Sequence, residues 1–327
     1  MSVTITGGGV TATVALRGAM TTAVFDLGDR LVSPLYVAPW PPNDDDTLLG
    51  RLRGDFPCIP FGMAPRDLSS YPPAWRDLDP GSTAHPHGYS SNADWTATHV
   101  GRDTAEFVLT YPDGDDVDYA RRRVSCADGE VVFEDTFAVR RPVSLPLGLH
   151  PILTLPTDPG AAHLQLPPCA GLRTLPVPAE PTSGLAPDTA FLDPTSAPRA
   201  DGGTLDLTRL PLAERTEELV LLADVASPVV TLDCPQEGYR VSVEWDSDLL
   251  RHCMLWISNL GRGYEPWNGR NLCLGIEPVT AAFDLGEAIS AADNPLNPLG
   301  IVTAVQTEPG REYTMAHRIR VARSPRP

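Results

Sequence analysis

Apolar and polar residues alternate with a period of two through most of this chain, and that period predicts β-strands. In EVVFEDTFAV, Val131, Phe133, Asp135, Phe137 and Val139 share one face, and Val132, Glu134, Thr136 and Ala138 share the other. YRVSVEW divides the same way. Tyr239, Val241, Val243 and Trp245 form the apolar face, and Arg240, Ser242 and Glu244 form a solvated one. The runs AEFVLTYP, VDYARRRVSC and EVVFEDTFAVRR, separated by PDGDD and ADGE, predict an antiparallel meander. Within it, the arginines at 121, 122 and 123 are expected on a solvated strand edge. Short strands are predicted over 3–37, again over 217–259 (ELVLLAD, VVTLDCP, YRVSVEW, CMLWISN), and in GREYTMAHRIRVAR near the end. Residues 157–211 are rich in Pro, Gly, Thr and Ala and predict no helix, only short strands such as LQLPPC and LRTLPVP. The segment near 285–293 is the sole helical candidate. Many short strands without alternating helices predict an all-β sandwich or barrel. No linker divides the chain, so residues 1–327 are expected to form a single domain, with 157–211 an elaborated connection.

Prolines mark the exceptions to the alternation. LRGDFPCIPFG, residues 52–62, carries Pro57 and Pro60, which argues against a central strand and for a rigid loop lining a pocket or covering the core. APWPPNDDDTLLG, residues 38–50, reads as an acidic surface loop.

Composition narrows the partners. The hydrophobic fraction of 42% allows a sizeable core in 327 residues. The formal net charge is −17, and all 25 basic residues are arginine. Nucleic acid and anionic membrane need a basic footprint, so both are excluded as partners. The N-terminus MSVTITGGGV has neither a basic nor an apolar leader region, and no window is long enough to span a membrane, which predicts a cytoplasmic protein. The six cysteines, at 58, 126, 169, 234, 253 and 273, form no CxxC pair and sit largely in apolar surroundings, so free buried thiols are expected.

Candidate chemistry collects at three places. In NLCLGIEP, Glu277 ends an apolar strand, where a carboxylate is costly unless it is hydrogen-bonded or functional. In SLPLGLHPILTLP, His150 interrupts an apolar run; taken alone it reads as a core histidine bonded to a backbone carbonyl. In HPHGYSSNADW, His85 and His87 lie in a loop, without a third ligand nearby to make a metal site.

LRGDFPCIPFG, HGYSSNADW, LGLHPILTLP and the strand ending in Glu277–Pro278, taken in this order, resemble the aldose 1-epimerase (galactose mutarotase-like) family. PGREYTMAHRIRV is similar to the family's closing strand. The resemblance covers most of the chain and implies a large antiparallel β-sandwich, the galactose mutarotase-like supersandwich. It implies His87 and His150 as the two family histidines and Glu277 as the catalytic glutamate. It also implies Trp256 as an aromatic position before the glutamate strand, and Arg53 as the arginine of the RGG-type loop of the hexose-phosphate branch. That branch usually carries an arginine three residues after the HG glycine, where this chain has Ser91. Loss of a bidentate phosphate partner there favours a neutral sugar.

The implied reaction interconverts the α and β anomers of a free aldose. A base takes the anomeric hydroxyl proton, an acid protonates the ring oxygen, and the roles reverse on closure, with no cofactor or metal. Glu277 is expected as the base, ionised at neutral pH, and His150 as the acid, with an ordinary imidazole pKa. His87 would bind an oxygen or assist as a proton donor. Trp256 would stack on the sugar, with Trp95 and Trp267 as lesser candidates, and Arg53 and Asn92 would bind hydroxyls. A small-molecule sugar is the expected partner of a monomer or homodimer. A non-catalytic sugar-binding protein and a hexose-6-phosphate 1-epimerase are the alternatives on the same fold.

Overall fold

The computed structural model describes residues 1–43 and 48–324, so the acidic centre of the 38–50 loop and the last three residues lie outside it. Two large antiparallel sheets dominate the described residues. The nine-stranded sheet runs in the order Arg209–Leu210, Ala162–Gln165, Val229–Cys234, Tyr239–Trp245, Glu312–Arg323, Glu130–Val139, Val117–Ala127, Thr104–Thr110 and Thr96–Val100. The eight-stranded sheet runs Ala190–Phe191, Gly171–Thr174, Thr216–Ala223, His252–Asn259, Leu272–Thr280, Leu147–Leu149 and Pro57–Cys58, with Ile152–Thr154 also paired to Leu272–Thr280. A four-stranded N-terminal sheet (Ser2–Gly7, Val10–Ala15, Thr21–Asp26, Leu31–Val32) adds its apolar face to the same core. The fold is an all-β antiparallel sandwich. Its helical content is slight, and the turn at Gly286–Ala291 falls where the sequence predicts a helix. No helix among the described residues is long and apolar enough to cross a membrane.

Alternation explains the packing. Val131, Phe133, Asp135, Phe137 and Val139 are buried, and the other residues of their strand are not. Tyr239, Val241, Val243 and Trp245 are buried in the same manner. These faces meet Val220, Leu222, Leu255, Ile257, Leu274 and Ile276 of the second sheet in the principal core. Pro57 sits in a two-residue strand at the end of the eight-stranded order, where a missing N–H breaks no central ladder. One expectation needs correction. Arg121 and Arg123 are solvated, but Arg122 between them is fully buried and points into the inter-sheet core.

The eight-stranded sheet buries both faces. Thr216–Ala223 and His252–Asn259 are buried at every residue. The face turned away from the principal core carries Leu219, Leu221, Met254, Trp256, Cys273 and Val279. Loop residues cover it, among them Trp40, Phe56, Phe61, Trp267 and Phe283, together with Trp75 of the short helix Pro73–Arg76. The candidate site lies under this cover. All six cysteines are free, and all but Cys169 are buried.

Candidate functional site

Glu277 belongs to the covered face because Leu274 and Ile276 point the other way, into the principal core. Its cross-strand partner is Met254, and Trp256 stands opposite Gly275. A Cβ on Gly275 would lie 2.5 Å from Glu277 Oε1 and 3.0 Å from Trp256 Cβ, so the glycine makes room for both side chains.

His150 reaches the same place by register. Gly148 pairs with Val279 and Ile152 with Gly275, so counting through the gap sets His150 opposite Glu277. Pro151 interrupts the ladder between them, yet its carbonyl still accepts the Ile276 N–H at 2.9 Å. The His150 N–H donates to Phe56 O at 3.0 Å, and the imidazole stacks on the Phe56 ring at 4.6 Å and 21°. His150 Nε2 is 3.4 Å from Glu277 Oε1.

His87 arrives from the HG loop. Its backbone has φ 56°, in the left-handed region that a non-glycine residue occupies only when held there. What holds it is visible: its N–H donates to Gly62 O at 2.9 Å, and Ser91 Oγ donates to its carbonyl. Its ring meets the His150 ring edge-on at 5.1 Å and Phe61 at 5.0 Å. His87, His150 and Glu277 thus form one cluster. Trp256 borders it, 5.8 Å from the His150 ring.

The cluster is dry. Glu277 is 1% exposed and His150 5%, and His87 is the partly exposed member. Among the described residues, Glu277 Oε2 and the Nδ1 atoms of both histidines are buried without a hydrogen-bond partner, an unmet polar demand gathered on one face. Burial holds the Glu277 carboxyl well above the ordinary carboxylate range, and nearby Asp284 adds to this. Burial also holds His150 well below the ordinary imidazole value, helped by His87, and lowers His87 itself to about 4. This corrects the expectation of an ionised Glu277 beside a His150 of ordinary pKa. Burial thus works against a charge on the carboxyl and on both imidazoles.

A second polar group, not singled out from sequence, lies beyond Trp256. Glu217, fully buried, accepts the Trp256 indole N–H at 2.6 Å and the Ser258 hydroxyl at 2.9 Å. Asn271 Nδ2 donates to Ser258 Oγ at 2.6 Å, and the Tyr36 hydroxyl donates to Asn271 Oδ1. Arg262 lies 3.3 Å from Glu217 and 3.0 Å from Glu180, with its guanidinium 4.6 Å from the Trp267 ring centroid. Trp267 stands edge-on to Trp256 at 6.1 Å. The available signal was alternation: Glu217 shares a face with Leu219 and Leu221, where a solvated glutamate does not belong.

Other predicted residues lie elsewhere. Trp95 is part of the principal core, and its indole donates to Ser90 O at 2.8 Å. Asn92 caps its own loop, donating to Pro86 O and Gly88 O, both at 2.7 Å. Arg53 is partly buried, and its Nε donates to Arg51 O at 3.0 Å; no ion pair or hydrogen bond links it to the cluster among the described residues. Ser91 is fully buried and also bonds Pro57 O at 3.3 Å, so its side chain faces inward beneath the HG loop.

No protein-family model matches the chain, and no curated protein matches it. Solved structures do. A provisional aldose 1-epimerase from Escherichia coli K12 aligns with a TM-score of 0.68 at 16% identity, over 99% of this chain and 99% of that one. A galactose mutarotase related enzyme from Lactobacillus acidophilus aligns at 0.64 and 15%, over 98% and 97%. An aldose epimerase homologue from C. elegans aligns at 0.62 and 15%, over 99% of each chain. At these identities the likeness is one of fold: the chain has the galactose mutarotase-like β-sandwich fold.

Proposed function

We propose that this chain, acting as one unit over residues 1–327, is an aldose 1-epimerase-like isomerase that interconverts the α and β anomers of a free aldose. The observation that carries the reading is the buried pair of Glu277 and His150, Oε1 to Nε2 3.4 Å, on a face that also offers Trp256 and His87. The names borne by the fold neighbours support the same class of chemistry.

The pair carries one mobile proton and needs no more. One member accepts the proton of the anomeric hydroxyl. The C1–ring oxygen bond breaks, its electrons pass to the ring oxygen, and the other member protonates that oxygen. The free aldehyde rotates, and closure runs the steps backward with the roles exchanged. Each proton transfer by a positioned group is worth about 10²–10⁴-fold. With the proton resting on Glu277, the carboxyl is the acid and neutral His150 the base in the first half of a turnover, and the assignment reverses in the second. His87, the partly exposed member, binds a sugar oxygen at the approach, and Trp256 offers an aromatic face to the ring.

An uncharged sugar suits this environment. Glu180 and Glu217 lie 3.0 and 3.3 Å from Arg262, so this guanidinium is already balanced by carboxylates. A phosphate ester would meet that negative surround, and Ser91 offers it no cation.

Polarimetry tests the proposal. Freshly dissolved glucose or galactose should lose its excess rotation faster with the protein present, and Glu277→Gln should lower that acceleration at least about 10²-fold. Sugar binding by calorimetry without acceleration over a broad aldose panel would refute the enzyme and favour a binding protein.

A further inference from the structure

Four ionisable side chains are sealed in the principal core behind the site. Asp55 and Arg122 are 0% exposed, Asp135 1% and His317 3%. The Asp55 carboxylate accepts His317 Nε2 at 2.8 Å and Arg122 Nη2. Arg122 Nε lies 3.7 Å from Asp135 Oδ1. The His317 ring stacks on Phe133 at 4.5 Å and 9°, and the Arg122 guanidinium rests 4.6 Å from the centroid of the same ring. A buried ionic cluster stabilises a fold no better than apolar side chains of equal volume. Its consequence lies in what it holds in place.

What it holds is the segment that supports His150. The Asp55 backbone is paired to Thr21 on both sides, N–H to carbonyl at 3.0 Å and carbonyl to N–H at 2.9 Å. Gly54 before it has φ +61°, and a Cβ there would lie 1.9 Å from Thr21 O, so the chain enters Asp55 along one path. Phe56, next in sequence, points to the opposite face, into the covered cluster. Its carbonyl and its ring are the two groups that touch His150, by the 3.0 Å hydrogen bond and the 4.6 Å stack. Asp55 is thereby pinned on one side of the chain, and His150 leans on the other.

We propose that Asp55, anchored by His317 and Arg122, is a positioning residue that fixes Phe56 and through it the plane of the His150 imidazole against Glu277. This rests on the reading of His150 and Glu277 as the proton-handling pair. A displacement of about 1 Å in such a pair can lower a rate up to about 10²-fold without touching binding.

The test combines saturation kinetics by polarimetry with the imidazole ¹⁵N signals of His150, assigned by their loss in His150→Asn. Asp55→Asn and His317→Leu should each lower kcat about tenfold or more, leave KM within about twofold, and move the His150 signals. His317→Gln, which keeps a donor near the Nε2 position, should recover most of the kcat. Phe56→Leu leaves all four buried polar groups in place and should reproduce the defect. A folded Asp55→Asn or His317→Leu protein with wild-type kcat and unmoved His150 signals would overturn the proposal. If both fail to fold, Phe56→Leu decides, and unmoved signals and kcat in that variant overturn it equally. If the wild-type protein accelerates no aldose, the proposed activity fails and the nitrogen signals alone judge the positioning.

Discussion

In the proposed reaction Glu277 and His150 share a proton under conditions that neither would meet in water. Burial removes solvation from whichever member is charged, so it raises the carboxyl and lowers the imidazole together. In the reaction proposed above the singly protonated pair is the competent form, because each half-reaction needs one base and one acid. On the acid side that form is lost when His150 takes a second proton. Since burial holds His150 below 6.5, the acid limb of kcat/KM should fall below that value. An acid limb at pH 6.5 or above, measured by polarimetry with buffer catalysis subtracted, would contradict the account from burial. The same residues mark the boundary of what sequence could tell. A carboxylate ending an apolar strand asks for a reason, and the HG and LHP histidines supply candidates for one. Their pKa directions come from loops folded over the sheet, which no local pattern encodes.

At the scale of elements, the site exists because adjacent strands present matched faces. Leu272–Thr280 alternates Cys273, Gly275, Glu277 and Val279 toward the cover, with Leu274 and Ile276 toward the core. Gly275 is the one position on that face with no side chain, and the Glu277 carboxylate and Trp256 use the space. Gly275→Ala should leave the sandwich folded, because the sheet register does not depend on it. The new methyl group displaces Glu277 Oε1, and kcat should fall about tenfold or more with a smaller change in KM. Thermal unfolding beside kinetics checks this; wild-type kcat in a folded variant would mean that Glu277 tolerates the shift. Strand periodicity was legible here and made the meander, the alternating faces and the late helix readable. Chemistry on a buried face was less so. Asp135 shares a face with Phe133 and Phe137, as the alternation indicated, whereas Arg122 shares one with Ala120 and Val124 but was expected in solvent with its arginine neighbours, and the partners of neither were readable. Asp55 is 67 residues from Arg122 and 262 from His317, and separations of that size carry no local signature.

At the scale of the molecule, two populations of charge behave differently. On the outer face of the nine-stranded sheet, Arg121–Glu312, Arg318–Glu244 and Arg320–Glu130 pair across strands in solvent, where each contributes about 0–1 kcal/mol and weakens with salt. The sealed cluster instead ties global stability to pH. Burial, partly offset by Arg122 and His317, raises Asp135 from 3.8 to about 6. A carboxyl whose folded pKa is raised binds its proton more tightly in the folded state. Its stabilising contribution is therefore complete below the unfolded pKa and is lost as pH rises through about 6. Between pH 5 and pH 8 the loss is on the order of 1 kcal/mol. Asp135→Asn has no proton to lose. Whatever its absolute stability, the difference between variant and wild type should shift toward the variant by on the order of 1 kcal/mol from pH 5 to pH 8 in urea unfolding. A difference that stays constant across this range, or moves toward the wild type, would mean that Asp135 remains ionised in the core. Its pairing with Arg122 would then outweigh its burial.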